Sequence, residues 1–227
     1  MSSQSGGRVP AWQRVTEGEQ RIGVALAVVA LLVLQFLVPR QYAFRPAWLI
    51  PALELAILVV LMAANPFRIN RESAFLRVCG LLLVSLASFA TLWSVALLSY
   101  DMVAGRGDLP AAELVRNGGA IWLTNVIVFG LWFWEFDRGG PAARANNRME
   151  APDFLFPQMA TPGVAAKDWE PEFLDYLYVS FTNATAFSPT DAMPLSRWAK
   201  LAMMLESAIS LVTVALVIAR AVNVLGG

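Results

Sequence analysis

Most of the residues that could carry chemistry in this chain lie in one short segment near the C-terminus. The candidate residues of this segment are Thr182, Asn183, Thr185, Phe187, Ser188, Pro189, Thr190 and Asp191. Hydroxyl groups and backbone carbonyls in such a loop could line a path for inorganic ions. The chain has no histidine and a single cysteine, which removes the commonest general base and the commonest metal ligand. We therefore expect no enzyme, no metal site and no cofactor.

A second group of polar residues lies on a later apolar run. Glu206, Ser210 and Thr213 follow one another at steps of four and three residues, so they share one face of a helix. A polar stripe beside an irregular loop could line a pore or a hydrated cavity. The same stripe could instead hydrogen-bond to neighbouring helices, as Ser and Thr often do in membranes.

Glu54 is an isolated acid in another apolar run. A charge at the centre of a membrane span costs about 2.5–3.5 kcal/mol on insertion scales, and this run holds no basic residue. A partner for Glu54 must therefore come from another helix. Proton or cation transport through Glu54 is one hypothesis, and a protonated carboxyl bonded to Asn125 or Thr124 is the structural alternative.

Composition indicates which elements position these residues. The 227 residues are 57% hydrophobic and 15% charged, with a mean hydropathy of +0.56, whereas soluble domains carry about a quarter charged residues. A bilayer core requires about 20 apolar residues per helix. Runs near that length occur at Ile22–Val38, Ala47–Ala64, Val78–Ser99, Gly118–Trp134 and Leu201–Ala219. The sequence thus predicts an all-α, polytopic transmembrane helical bundle with five spans.

The remaining segments divide around these spans. Residues 1–21 are interpreted as a flexible polar tail, residues 22–136 as four spans, and residues 137–170 as a long polar loop. Residues 171–227 are predicted to hold a short helix, a loop and the last span. Within the long loop, Pro152–Met159 is interpreted either as a membrane-surface segment or as an ordinary ordered loop.

The short helix is predicted over Glu172–Phe187. Phe173, Leu177 and Phe181 recur at helical spacing, but the apolar part is too short to cross a bilayer. A re-entrant helix, which enters the membrane and returns to the same side, fits this pattern, provided that protein or trapped water surrounds its irregular backbone. The alternative is a sixth spanning helix.

The order of short helix, irregular loop and spanning helix resembles the pore module of potassium channels. The family motif reads T-x-x-T-V-G-Y-G-D and continues with a proline, a threonine, a tryptophan and a basic residue. The later positions correspond in this chain to Asp191, Pro194, Ser196, Trp198, Ala199 and Lys200, with conservative changes at three of them, and Thr185 falls on the threonine before the filter. The resemblance covers about a fifth of the chain and implies a homo-oligomer around a central ion path.

The filter positions depart from that family. The T-V-G-Y-G stretch corresponds here to residues 186–190, which read Ala-Phe-Ser-Pro-Thr. A potassium filter uses its glycines to reach backbone angles that other residues avoid, and Pro189 restricts both itself and Ser188. We therefore expect no potassium-selective conduction, although a wider hydroxyl-lined loop or a closed loop would be compatible with the sequence.

The stretch PEFLDYLYVSFT, residues 171–182, also resembles an uncharacterised bacterial family of integral membrane proteins. Members of that family carry an aspartate, an aromatic residue and then Leu-Tyr-x-x-Phe-Thr before a final helix. The resemblance implies a multi-pass protein of the bacterial inner membrane and implies no activity.

Charge predicts an orientation in that membrane. With five spans, twelve of the 17 Lys and Arg residues fall on the side of the N-terminus and five on the other side. The positive-inside rule then places the N-terminus in the cytoplasm. The potassium-channel resemblance implies the opposite orientation, and we prefer the charge count because it uses the whole chain.

Three functions are compatible with these features. The leading hypothesis is a pore-module-like membrane protein that conducts inorganic ions without potassium selectivity. The alternatives are a non-conducting scaffold or accessory subunit and a small-solute or proton transporter that uses Glu54. The lipid bilayer is the expected partner in each case, and the zero net charge indicates no nucleic acid partner.

Overall fold

The structure, a computed structural model, describes residues 9–71, 73–104, 110–149, 151–161, 163–186 and 191–226. Most of these residues are helical. The helices are α1 (Ile22–Leu37), α2 (Leu49–Ala64), α3 (Ala74–Val103), α4 (Ala111–Phe136), α5 (Pro141–Ala145), α6 (Pro157–Ala160), α7 (Phe173–Ala186) and α8 (Arg197–Gly226). Two short strands, β1 (Phe154–Leu155) and β2 (Met193–Pro194), pair antiparallel.

Three helices in the described part of the chain are long and apolar enough to cross a membrane. They lie at Ala74–Val103, Ala112–Gly139 and Arg197–Val222. The helices α1 and α2 are also apolar but have only 16 residues each, which corresponds to about 24 Å at 1.5 Å per residue. The expectation of a mostly helical chain with helices that could cross a membrane is therefore confirmed, and the count of five spans stays a prediction.

The long helices alternate in direction. We define the lower end of the bundle as the end where α1, α3 and α8 begin and where α2 and α4 finish. At this end Arg21 bonds to the carbonyl of Phe67 through its backbone N–H, and Arg77 lies 4.0 Å from Glu135. At the opposite, upper end, the Ser94 hydroxyl donates to the carbonyl of Tyr42.

The helix α4 is the centre of the bundle, since it contacts α1, α3, α7 and α8. Two glycines allow the closest of these contacts. At Gly130, a Cβ atom would lie 3.1 Å from the Cα of Leu177 on α7. At Gly118, a Cβ atom would overlap the side chain of Val217 on α8. Small residues at helix interfaces let backbones approach in membranes, where packing replaces the hydrophobic effect between helices.

The helices α7 and α8 run parallel, and both begin at the lower end. Ser180 contacts Glu206, and Ala184, four residues later on α7, contacts Ser210, four residues later on α8. The two helices therefore run side by side in the same direction. The C-terminal residue of α7, Ala186, therefore lies about halfway along α8. The chain then returns, because Asp191 accepts a hydrogen bond from Tyr178 and β2 pairs with β1 near the lower end.

The prediction of a flexible N-terminal tail is wrong for residues 9–21. Ala11, Glu19 and Arg21 are buried, and Gln20 forms a bridge with Arg68. The backbone N–H of Thr16 also donates to the carbonyl of Ala145. Polar composition was misleading here because these polar groups find partners inside the protein.

The segment 137–170 is likewise an ordered part of the fold and not a plain polar loop. It contains α5, α6 and β1, and it buries Phe154 and Phe156 fully against Tyr176. Of the two interpretations of Pro152–Met159, the described residues support the ordered loop, since its two phenylalanines point into the core.

The close contact of α4 with α8 is testable at Gly118. We expect Gly118→Ala to lower the free energy of unfolding by about 1–3 kcal/mol, because the added methyl group meets Val217. Gly119→Ala is the matched control, since no atom lies within 4 Å of its added Cβ. Thermal unfolding in detergent measures both, and equal melting temperatures for the two variants would contradict this packing.

Candidate functional site

Glu206 is the centre of a buried polar contact between α7 and α8. Its side chain is fully buried, and it is bonded to the Ser180 hydroxyl and to the Asn183 amide, the latter at 2.6 Å. The Asn183 amide also donates to the carbonyl of Met203 at 2.9 Å. The two ion pairs found among the described residues do not include Glu206. The carboxyl group therefore depends on neutral hydrogen-bonding partners.

The hydrogens available in this contact favour a neutral Glu206. Ser180 Oγ lies 2.7 Å from the carbonyl of Val126 and also contacts a carboxyl oxygen of Glu206. A hydroxyl has only one hydrogen, so Ser180 cannot donate to both acceptors at once. If Glu206 carries a proton, it donates to Ser180, Ser180 donates to Val126, and Asn183 donates to the second carboxyl oxygen. Every group is then satisfied.

The other residues of the polar stripe on α8 are also turned inward. Ser210 is fully buried, accepts a hydrogen bond from Trp122 and donates one to the carbonyl of Ala184, both at 2.7 Å. Thr213 is buried and donates to the carbonyl of Ile209 within its own helix. Glu206 and Ser210 of the stripe therefore bond to α4 and α7. Of the two interpretations of the stripe, this arrangement agrees with hydrogen bonding to neighbouring helices.

The structure separates the candidate residues of the loop segment into two sets. Asn183 is buried against α8. Thr182 and Thr185 donate to carbonyls of α7 itself, and both Thr185 and Asp191 are exposed. The candidates Phe187, Ser188, Pro189 and Thr190 lie outside the described residues.

Glu54 is fully buried and has its partner on α1. The amide nitrogen of Gln35 lies 3.0 Å from each carboxyl oxygen of Glu54. The expectation that the partner comes from another helix is confirmed, but its assignment to Asn125 or Thr124 on α4 is wrong. Thr124 instead donates to the carbonyl of Ala120 in its own helix, and Asn125 Nδ2 is a buried donor without a partner.

A network of buried charged groups at the lower end was missed from the sequence. Arg138 donates to the carbonyls of Trp12 and Met149 and to the side chain of Asn147, at 2.6–2.9 Å. These bonds join the N-terminal segment to the chain that follows α4. Arg138 has a positive φ of 52°, so this turn is held in a backbone conformation that few non-glycine residues adopt.

Asp137 and Arg144 complete this network. Asp137 accepts hydrogen bonds from the Asp153 backbone at 2.7 Å and from the Tyr176 hydroxyl at 2.5 Å. Arg144 donates to the carbonyls of Trp134 and Asp137, and its guanidinium carbon lies 5.0 Å from the centre of the Tyr176 ring. The network therefore anchors the first turn of α7 to the last turn of α4.

Glu19 connects the N-terminal segment to the same region. Its carboxyl group accepts hydrogen bonds from Trp134 Nε1 and from the backbone N–H of Phe173. Burial raises the pKa of Glu19 to about 7, and the nearby charge of Arg144 opposes this shift without cancelling it. Glu19 is therefore a carboxyl group that titrates near neutral pH at the start of α7.

One sequence signal pointed toward this network. Asp137 and Arg138 lie three and four residues after the end of the fourth apolar run, and Gly139, Gly140 and Pro141 come next. Glycine and proline mark a tight change of direction, which keeps the two charged side chains beside the helix end. Their partners could not be read in the same way, because Trp12 and Tyr176 are distant in the chain.

No protein-family model, curated protein or solved structure matches this chain. The resemblances to potassium-channel pore modules and to an uncharacterised bacterial membrane family therefore rest on the residues quoted above.

The titration of Glu19 predicts a pH dependence of stability. Because the pKa is about 7 in the folded protein and near 4.5 ordinarily, the unfolded chain loses its proton first as the pH rises. The contribution of Glu19 to stability is then complete below pH 4.5 and is lost as the pH approaches 7. Relative to Glu19→Gln, we expect the wild type to lose up to about 3 kcal/mol over this interval.

Melting temperatures in detergent between pH 4.5 and pH 8 measure this difference. Glu17→Gln is the matched control, because the Glu17 side chain is 81% exposed in the same segment. A difference between wild type and Glu19→Gln that stays constant with pH would contradict the raised pKa.

Proposed function

We propose that this chain is a non-conducting membrane scaffold or accessory subunit in which the α7–α8 unit, residues 173–186 and 197–226, is packed shut. The observation that carries this proposal is the buried contact of Glu206 with Ser180 and Asn183. Polar residues that line a water-filled path bond to water, whereas these side chains bond to one another and to backbone carbonyls.

The cost of opening the α7–α8 unit supports the same function. A path between α7 and α8 would break the bonds from Asn183 to Met203 and from Ser210 to Ala184. Each buried polar group left without a partner costs about 1–3 kcal/mol. Opening is therefore unfavourable unless water or another chain replaces every bond that is lost.

A pore formed between several copies is the second candidate function. It is favoured by the parallel course of α7 and α8, in which α7 stops about halfway along its neighbour and the chain turns back. It is also favoured by the exposure of Thr185 and Asp191, which flank residues 187–190 in the sequence. Such a pore would not select potassium, because the filter positions hold no glycine.

Ion flux from proteoliposomes distinguishes these two candidates. We expect vesicles with the purified wild-type protein to release no more sodium, potassium or chloride than protein-free vesicles, at any imposed voltage. Ser188→Gly and Thr190→Ala should leave this result unchanged. Flux above the background that changes in either loop variant would overturn the scaffold and favour the pore.

Two variants of Glu206 complement the flux measurement: one keeps the buried contact with Ser180 and Asn183, and the other weakens it. Glu206→Gln retains an amide that can bond to Ser180 and Asn183, so it should melt close to the wild type. In Glu206→Leu, Ser180 keeps its bond to Val126 and Asn183 keeps its bond to Met203, but the second hydrogen of the Asn183 amide has no acceptor. This variant should melt lower, by about 1–3 kcal/mol in the free energy of unfolding. If the α7–α8 unit is only a packed element, neither variant produces a selective current.

We also propose that the lower end faces the cytoplasm of a bacterial cell, with the chain in the inner membrane. Most of the basic side chains of the described residues lie at this end, which is the distribution that the positive-inside rule requires. Single cysteines introduced into Cys79→Ser protein test the orientation. Asp168→Cys marks the lower end and Gln41→Cys the upper end, and both positions are exposed.

We expect a membrane-impermeant maleimide to label Gln41→Cys in intact spheroplasts and Asp168→Cys only after lysis. The Cys79→Ser protein without an added cysteine sets the background. The reverse labelling pattern would place the lower end outside and would agree with the orientation of potassium-channel pore helices.

A further inference from the structure

A cavity of about 310 Å³ lies between α1, α2, α3 and α4, away from the α7–α8 unit. This volume falls at the small end of the range of about 300–1,000 Å³ that is usual for ligand sites. Its exposed lining residues include Arg71 and Ala74, so the cavity opens at the lower end of the bundle.

The lining of this cavity changes from charged to apolar with depth. Arg21 lies at the lower end of α1 and Val28 two turns deeper, and α3 repeats this order from Arg77 to Val84. Seven residues of helix correspond to about 10 Å. The deep part is entirely aliphatic in character, with Val24, Ala25, Val28, Leu58, Leu83, Val84 and Leu131 in its wall.

The mouth of the cavity is basic. Of the described residues that line the cavity, Arg21, Arg71 and Arg77 are basic and Glu135 is acidic. Glu135 lies 4.0 Å from Arg77 and also interacts electrostatically with Arg21. The three arginines still outnumber the one acidic side chain of the described lining.

Arg21 lies at the mouth of the cavity, where Glu19 and Glu135 interact with it electrostatically. It is 6% exposed, and its Nε atom is buried without a hydrogen-bond partner. A buried guanidinium group is costly unless it is paired or hydrogen-bonded. An anionic group at the mouth of the cavity would supply the missing acceptor.

We propose that this cavity binds an anionic phospholipid from the bilayer, with the phosphate at Arg21 and Arg71 and part of one acyl chain between α1, α2 and α3. Arginine binds phosphate with several donors in a fixed geometry. The aliphatic side chains of the wall shield the bound part of the acyl chain from the water of the headgroup region, and burying apolar surface in this way is favourable. The proposal is independent of the scaffold function.

The charge pattern favours an anionic lipid over the two obvious alternatives. A zwitterionic lipid carries an ammonium group, which would lie close to the arginines at the mouth. A free inorganic phosphate would satisfy Arg21 but would leave the aliphatic depth of about 10 Å unfilled. The experiment includes both alternatives as probes.

The test measures the melting temperature of the full chain in a neutral detergent during lipid titration. The probes are phosphatidylglycerol, phosphatidylcholine with the same acyl chains, and inorganic phosphate. We expect phosphatidylglycerol to stabilise the protein at a concentration at least tenfold lower than phosphatidylcholine, and inorganic phosphate to have no effect at millimolar concentration.

Arg21→Gln should weaken the response to phosphatidylglycerol about tenfold or more, since it removes charge-assisted hydrogen bonds to the phosphate. Arg21→Gln also removes the attraction of Arg21 to Glu19 and Glu135, so its melting temperature without lipid is measured first and its response to lipid is compared with that baseline. Arg197→Gln is the matched control, because Arg197 is exposed at the same end but does not line the cavity.

A second variant, Ala25→Leu, narrows the aliphatic part and should weaken phosphatidylglycerol binding while Arg21 is unchanged. Equal responses to the two lipids, or equal weakening by Arg21→Gln and Arg197→Gln, would overturn the proposal. Stabilisation by inorganic phosphate alone would also overturn it, because the site would then bind a free anion and no lipid.

Discussion

Hydrocarbon cannot bond to a polar group, and the arrangement of α4, α7 and α8 follows from this constraint. The helix α7 has 14 residues and ends about halfway along α8, and its buried hydroxyl and amide groups need partners inside the protein. In this protein Glu206, Asn183 and Ser180 satisfy one another, and the carbonyls of Val126 and Met203 accept the remaining hydrogens. The contact determines how far along α8 the helix α7 can sit.

This buried contact needs a rigid support, which the central helix α4 provides. At Gly130 the backbones of α4 and α7 lie close together. At the lower end Asp137 accepts a hydrogen bond from the hydroxyl of Tyr176. Arg144 packs on the same tyrosine ring. Close packing along the helices and contacts of charged side chains with Tyr176 at the lower end therefore both hold α7 against α4.

The helices were predictable from the sequence because long apolar runs have few alternatives in a membrane. Ala47–Ala64 became α2 at Leu49–Ala64, and Leu201–Ala219 lies within α8. The partners of polar residues were not predictable, because they depend on which helices become neighbours. The bond of Glu54 to Gln35 requires that α1 and α2 pack together, which periodicity alone does not determine. The burial of Glu19 was hidden for the same reason, since its donors lie on α4 and α7.

The parallel course of α7 and α8 has a consequence for biosynthesis. Asn183 is hydrogen-bonded to Met203 and Glu206, and Ser180 is hydrogen-bonded to Glu206. The ribosome adds Met203 and Glu206 about 20 or more residues after Asn183 and Ser180. Until then the Asn183 amide lacks both of these acceptors, and Ser180 has only the carbonyl of Val126 on α4 as a partner. The buried contact of Glu206 with Ser180 and Asn183 is therefore completed only after α8 has been made.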